Sequence, residues 1–234
     1  MQTNRLLTEP VSKLFFRYLL PAILANMVTS IYILADTIII GKGIGAEAMA
    51  TLNIILPLFN IFFGTGLLFG VGGSVLMSIA RGGGDEKLGR CYFTLSILLN
   101  AITCLLLTVI LYIYMEPLVR FLGATEVTMP YVRNYAPYVI LGLSAFSFSS
   151  LLQTFVRNDG APKLAMVAVV SGGVLNVILD IVFVFPLNMG MAGAAIASVL
   201  GSLCTIMILL FHFGSKTNGL KFSLEAFSFV QIGR

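Results

Sequence analysis

SGGVLNVILDIVFVFP, residues 171–186, is an apolar segment that carries two polar side chains, Asn176 and Asp180. Their spacing of four residues places both on one face of a helix. A carboxylate inside hydrocarbon costs about 2.5–3.5 kcal/mol on insertion scales, so it should face a polar interior and a partner. An earlier apolar segment offers Tyr32 and Asp36 at the same spacing. We therefore predict that these four residues meet between two helices and bind a small cation.

The composition is typical of an integral membrane protein. Of the 234 residues, 58% are hydrophobic and 10% are charged, and the mean hydropathy is +1.00. A helix needs about 20 predominantly apolar residues to cross a bilayer. Six segments meet this requirement, near 14–40, 51–79, 91–115, 131–156, 163–185 and 191–213. We predict an all-α fold, an integral membrane six-helix bundle.

The positions of Lys and Arg predict the orientation of the bundle in the membrane. With the N-terminus in the cytoplasm, only three of the 14 basic residues fall outside, namely Lys42, Arg120 and Arg133. This bias follows the positive-inside rule. We expect a cytoplasmic N-terminus at 1–13, a six-helix lobe at 14–213 and a cytoplasmic segment at 214–234. No basic run is interleaved with aromatic residues, so the chain's expected surroundings are the lipid bilayer and no nucleic acid is expected as a partner.

The depth of the polar residues is a further test of whether they meet. At about 1.5 Å per residue, Asp36 lies roughly 6 Å below the outer end of its span and Asp180 roughly 9 Å below the outer end of the fifth. Ser198 in the sixth span is about 10 Å deep. A common layer of oxygen atoms can hold Na⁺, with Asp36, Asn176 and Asp180 as its ligands, or take up protons. The alternative is that Asp36 reaches the interface and Asp180 bonds only to Asn176.

Several other residues have simpler interpretations. Tyr32 lies well inside the first span and either bonds to Asp36 or packs in a core, whereas the other seven tyrosines, Tyr135 among them, are predicted to be interfacial anchors. Pro21 interrupts the first helix as a static bend or a hinge. The small residues Gly66 and Gly70 favour close helix packing. His212 is predicted to be interfacial.

The stretch RGGGD, Arg81–Asp85, is predicted to be a turn between the second and third spans. It contains the GxGD pattern of intramembrane aspartyl proteases, but that pattern works inside the membrane, whereas Asp85 stands among charged residues. No strand precedes the stretch and no GK[ST] follows it, which argues against a phosphate-binding loop. We therefore expect that the chain is not an enzyme.

Six motifs in order resemble the N-terminal lobe of a MATE (multidrug and toxic compound extrusion) transporter of the prokaryotic DinF-like branch. They are Pro21, ADTIIIG at Ala35–Gly41, RGGGD at Arg81–Asp85, RNDGAPK at Arg157–Lys163, NVILD at Asn176–Asp180 and GMAGAAIAS at Gly190–Ser198. The resemblance implies a twelve-helix protein with two six-helix lobes. The chain would then be one lobe, with 214–234 as the start of the inter-lobe connector and the C-terminal lobe missing.

The resemblance also implies a function and a set of residues. Such proteins export amphipathic, often cationic drugs in exchange for H⁺ or Na⁺, with no bound cofactor. The N-lobe cation site of this family maps onto Asp36, Asn176 and Asp180, with Tyr32 in the same network and Ser198 at a position that usually holds a hydroxyl. Pro21 matches a first-helix proline that has been linked to the conformational switch. Asp180 is followed by isoleucine, where the family often has proline.

The leading hypothesis is thus a cation-coupled antiporter that works by alternating access in a bacterial or archaeal inner membrane. A second hypothesis is a flippase of a lipid-linked oligosaccharide. Such a flippase needs a cationic cavity, and no Arg or Lys lies in the middle of a span. A third hypothesis is a half-transporter that has no function by itself.

Overall fold

The computed structural model describes residues 10–215 and 218–223. Within these ranges all regular secondary structure is helical, and there are no strands. The helices are α1 (Val11–Gly43), α2 (Ala46–Gly82), α3 (Glu86–Ile113), α4 (Met115–Phe121), α5 (Met129–Asn158), α6 (Pro162–Val184) and α7 (Gly190–Leu210). A 3₁₀ turn, Phe211–Gly214, follows α7.

Every helix except α4 is long and apolar enough to cross a membrane, which confirms the predicted six spans. The short α4 was not predicted; it begins at Met115, where the third span was predicted to end. Most of the predicted N-terminal segment, 1–13, and of the predicted connector, 214–234, lies outside the described residues. The last residues of α1 and α6 lie on the same side of the bundle, which we call the outer end. The opposite side is the inner end.

The connection between the first two spans is much shorter than predicted. Spans at 14–40 and 51–79 predict an outer turn at 41–50, and this prediction is wrong because α1 continues to Gly43 and α2 begins at Ala46. The residues that open α2 are mostly good helix formers, and Ala48 among them is completely buried. Gly45 reverses the chain with a φ of 125°, a conformation that side chains disfavour.

The turn at Arg81–Asp85 is confirmed. Helix α2 ends at Gly82, Gly84 has a φ of 86°, and Asp85 is the N-cap of α3. The Asp85 Oδ1 accepts a hydrogen bond of 2.9 Å from the Leu88 N–H, which is an ordinary helix cap.

Helix α5 lies at the centre of the bundle and packs against α2, α3, α6 and α7. It approaches α2 closely through two glycines, as the sequence predicts. A Cβ atom on Gly70 would lie 3.0 Å from the Leu151 Cα, and one on Gly66 would overlap the Ser147 carbonyl. Small residues therefore determine how near these two helices come.

The core is divided into an outer and an inner apolar cluster. The outer cluster includes Phe62, Tyr135 and Leu143, and the inner cluster includes Phe93 and Phe155. A polar seam of Thr65, Asn100 and Ser147 links α2, α3 and α5. The Ser147 hydroxyl donates to the Asn100 Oδ1 at 2.8 Å and lies 3.0 Å from the Thr65 hydroxyl.

Two residues that were predicted to lie at the membrane interface are buried instead. Tyr135 is only 2% exposed because α5 is covered by neighbouring helices even near its outer end. His212 is also 2% exposed, and its Nε2 lies 2.7 Å from the Asp159 Oδ2. Hydropathy does not reveal either case, because each residue is close to the end of an apolar run.

Candidate cation site

Three helices bring the predicted polar residues together near the outer end. Helix α1 carries Tyr32 and Asp36, and its main packing partner is α6, which carries Asn176 and Asp180. The absence of a side chain at Gly173 lets α1 approach: a Cβ there would lie 3.0 Å from the Tyr32 ring. The Tyr32 ring thus lies on α6 about one turn before Asn176.

The two carboxyl groups face each other across the contact between α1 and α6. They are close enough for their charges to interact. Asp180 is completely buried, Asn176 is 4% exposed and Asp36 is half-buried. The prediction that Asp36 and Asp180 meet is therefore consistent with this geometry, whereas an Asp36 that reaches only the interface is not.

Four buried oxygen atoms of this group have no hydrogen-bond donor. They are the Asp36 Oδ1, the Asn176 Oδ1 and both carboxyl oxygens of Asp180. A buried acceptor without a donor is costly, and a buried carboxylate without a counter-charge is more so. Oxygen atoms of carboxylates and amides are the ligands that hard cations prefer. The site thus has the chemistry to hold one cation, or to share a proton between two carboxyl groups.

Ser198 on α7 has an indirect position in the group. The Asn176 Nδ2 donates to the Ser198 hydroxyl at 3.3 Å. This bond uses the donor end of the amide and leaves its Oδ1 free to face the aspartates. In this geometry Ser198 orients Asn176.

Tyr32 lies beside Asp36, and the charge of Asp36 acts on its phenol. The same ring packs on Gly173; a hydrogen bond from its phenol to Asp36 stays a prediction.

Tyr135 is a site residue that sequence reasoning missed. Its phenol is buried within the electrostatic reach of both Asp36 and Asp180. The depth argument would have found it, because Tyr135 lies six residues after the start of α5, or about 9 Å below the outer end. That depth equals the depth expected for Asp180.

Pro21 is not part of this cluster. It is buried in α1, which runs without interruption from Val11 to Gly43. The fifteen residues that separate it from Asp36 correspond to about 22 Å along the helix. Any effect of Pro21 on the cation site must therefore act through the shape of α1.

The arrangement of helices and polar residues matches one protein family. The family profile described as MatE matches residues 21–182, which is well over half of the chain. The chain belongs to the MATE family. The matched residues include Pro21, Asp36, Asn176 and Asp180, and they end before Ser198.

Relatives and solved structures agree with this assignment. The multidrug export protein MepA of Staphylococcus aureus is 24% identical over 217 residues, which are 93% of this chain and 48% of that protein. An outward-facing multidrug resistance MATE family transporter of the MOP superfamily superimposes with a TM-score of 0.85 at 26% identity, over 95% of this chain and 49% of the other. A MATE crystal structure in complex with MaD3S gives the same TM-score, 0.85, at 26% identity over 94% and 50%.

The chain therefore spans about half the length of the relatives it matches. MATE proteins are transporters, not enzymes, and the six apolar helices make this chain a multi-pass membrane protein.

Proposed function

We propose that the chain is the N-terminal lobe of a multidrug exporter that is driven by exchange of its substrate for H⁺ or Na⁺. The four buried oxygen atoms without donors, contributed by Asp36, Asn176 and Asp180, carry this proposal. Residues 14–213 form the lobe in this proposal, and 214–234 begin the connector to a second lobe. The names of the relatives, multidrug export proteins of about twice this length, support amphipathic small molecules as the substrates.

The proposed coupling follows from which helices the site joins. Without a cation, the facing carboxylates of Asp36 and Asp180 repel each other and push α1 away from α6. A proton or a Na⁺ between them replaces this repulsion with attraction and draws the two helices together. Because α1 packs chiefly on α6, cation binding changes the position of α1 relative to the lobe. The substrate is released when this movement alters the surface that α1 presents to the second lobe.

The residues divide the work in this proposal. Asp36 and Asp180 bind the cation or the proton, and Asn176 adds an oxygen that Ser198 keeps oriented. The phenols of Tyr32 and Tyr135 lie within electrostatic reach of the carboxyl groups. The excess of basic residues at the inner end supports a cytoplasmic N-terminus, and the bacterial relatives support a location in the cytoplasmic membrane.

The test is the exchange of each carboxylate for its neutral isostere in the full-length protein. We expect Asp36→Asn and Asp180→Asn each to reduce ethidium efflux from inverted vesicles at least tenfold, because each variant keeps only one of the two carboxyl groups that bind the coupling ion. Protein levels should be unchanged. Efflux driven by an imposed pH gradient or by an imposed Na⁺ gradient identifies the coupling ion.

The matched control is Asp85→Asn, because asparagine caps a helix about as well as aspartate and Asp85 lies far from the site. It should export at the wild-type rate. Undiminished efflux from both Asp36→Asn and Asp180→Asn would exclude this mechanism.

A further inference from the structure

A second group of charged side chains lies at the inner end, opposite to the cation site. Arg81 lies in the last turn of α2, Asp159 follows α5, and His212 lies in the 3₁₀ turn after α7. The Arg81 Nη1 donates to the Asp159 Oδ1 at 2.6 Å, and the His212 Nε2 lies 2.7 Å from the Asp159 Oδ2. Arg81 and Asp159 belong to the motifs RGGGD and RNDGAPK, to which the cation site assigns no role.

The same group holds the backbone of the segment that follows the last span. The Gly219 N–H donates to the Asp159 Oδ2 at 2.8 Å, and the Arg81 Nη2 donates to the Gly219 carbonyl. A Cβ on residue 219 would lie 2.7 Å from the Asp159 Oδ1, so a glycine fits closely here. Three helix ends and one backbone amide are thus joined at a single carboxylate.

Residues 218–223, which we call the strap, continue from this point across the inner end to α3. Leu220 is 1% exposed in the inner cluster, and the Phe222 ring lies 5.3 Å from the Phe93 ring. The Ser223 N–H donates to the Thr94 hydroxyl at 2.9 Å, and the Ser223 hydroxyl lies 3.6 Å from the Cys91 sulfur. The strap therefore lies against α3.

Release of the strap would be unfavourable for two separate reasons. Leu220 would pass from an apolar core into water. Asp159, only 7% exposed, would lose a hydrogen bond from the Gly219 amide, and Arg81 would lose its bond to the Gly219 carbonyl. These contacts resemble the interior of a domain more than a surface that opens.

We propose that Arg81, Asp159 and His212 form a clamp that keeps the strap fastened to the lobe throughout the transport cycle. Residues up to Ser223 then move with the lobe as one body, and movement relative to a second lobe begins beyond Ser223. Asp159 is the positioning residue of this clamp. The inference rests on the proposed function only in that it presupposes a moving second lobe.

Cys91 provides a direct test. In the full-length protein with its other cysteines replaced by alanine, Ser223→Cys puts a second thiol next to Cys91. We expect mild oxidation of membranes to form this disulfide rapidly, and efflux of ethidium to continue afterwards at no less than half its rate before oxidation. Lys221→Cys is the matched control: its side chain is exposed on the same strap, and it should form no disulfide with Cys91.

The role of the clamp is tested by the rate of cross-linking. Asp159→Ala should slow formation of the Cys91–Ser223→Cys disulfide at least tenfold. His212→Leu should slow it as well, whereas His212→Gln keeps a donor in place and should preserve the rate. An unchanged rate in both Asp159→Ala and His212→Leu would overturn the clamp.

Loss of efflux on oxidation, with recovery on reduction, would show that the strap must open during transport. This result would overturn the proposal that the strap stays fastened to the lobe. Absence of efflux from the reduced protein and from the wild type is a failure of the proposed function instead. In that case the cross-linking rates still decide whether the clamp exists.

Discussion

Several side chains of this chain are polar although they lie within membrane-spanning helices, where an unpaired polar group is costly. Asp180 and Asn176 are almost completely buried, and their free oxygens meet that of Asp36. The arrangement is unfavourable unless a proton or a cation occupies it. Tyr135, whose phenol lies within electrostatic reach of both carboxyl groups, comes from a helix whose sequence contains no acidic residue in its span.

Replacement of Tyr135 by phenylalanine tests its part in the site. The ring keeps its volume in the outer cluster, so the fold should be retained, but the hydroxyl beside the two carboxyl groups is lost. We expect the concentration of coupling ion at half-maximal efflux to shift at least threefold, with little change in the amount of protein in the membrane. Titration of efflux with H⁺ or Na⁺ measures the shift.

Tyr138→Phe is the control for this experiment, because its ring is 47% exposed on the same helix. Equal ion dependence in the two variants would remove Tyr135 from the site.

At the scale of elements, glycine positions decide how closely the helices pack. Lipid is as apolar as a leucine side chain, so helices in a membrane associate through close packing and hydrogen bonds. Gly66 and Gly70 of α2 contact the backbone of α5, and Gly172 of α6 contacts Gly201 of α7. These contacts set the rotation of each helix about its own axis, and this rotation directs the polar side chains inward.

Two glycines of α2, two residues apart, allow a matched comparison. Gly66→Ala forces a Cβ into the Ser147 carbonyl, which is backbone and cannot move aside, so we expect a loss of about 1–3 kcal/mol in the free energy of unfolding. A Cβ on Gly64 would meet no atom within 4 Å. Gly64→Ala should therefore lower the free energy of unfolding by no more than about 0.5 kcal/mol, or raise it slightly through the higher helix propensity of alanine. Unfolding in mixed micelles measures both. Equal stabilities would mean that α2 and α5 do not approach as closely as described.

For the whole molecule, the two charged groups have opposite requirements. The outer group has acceptors without donors, and in the proposed function a cation or a proton from solution occupies it. The inner group supplies its own counter-charge and donors: Arg81, His212 and the Gly219 amide surround Asp159, and Glu86 lies 3.6 Å from the Arg81 Nε. One end of the lobe is therefore suited to exchange ions, and the other is suited to stay closed.

The inner group should stabilise the fold over a defined pH range. Burial raises the pKa of Asp159, but the hydrogen bonds from His212, Gly219 and Arg81 and the charge of Arg81 outweigh it and leave the pKa below its ordinary value. The carboxylate therefore contributes its full stability above the unfolded-state pKa, about 3.9, and loses it as the pH falls through the lower folded-state pKa. The difference in unfolding free energy between Asp159 and Asp159→Asn, measured in a His212→Gln background, should be constant from about pH 5.5 to 8 and shrink below about pH 4. A difference that changes around pH 6 to 7 would contradict this assignment.

Local sequence was sufficient to determine the six membrane-spanning helices, and it predicts the cluster of Asp36, Asn176 and Asp180. A segment in hydrocarbon must satisfy its own backbone hydrogen bonds, so an apolar run of sufficient length becomes a helix whatever surrounds it. Spacing of four residues and depth in the membrane then place polar atoms on one face and at one level. The turn at Arg81–Asp85 follows in the same way from glycine and a capping aspartate.

Tertiary structure alone decided which distant residues meet. Tyr135 joins the aspartates, and His212 joins Asp159 across 53 positions of the chain. Hydropathy cannot distinguish a side chain that faces lipid from one that faces a neighbouring helix, because both environments are apolar. The rotation of each helix, and with it the identity of the buried partners, arises only when small residues bring the helices into contact.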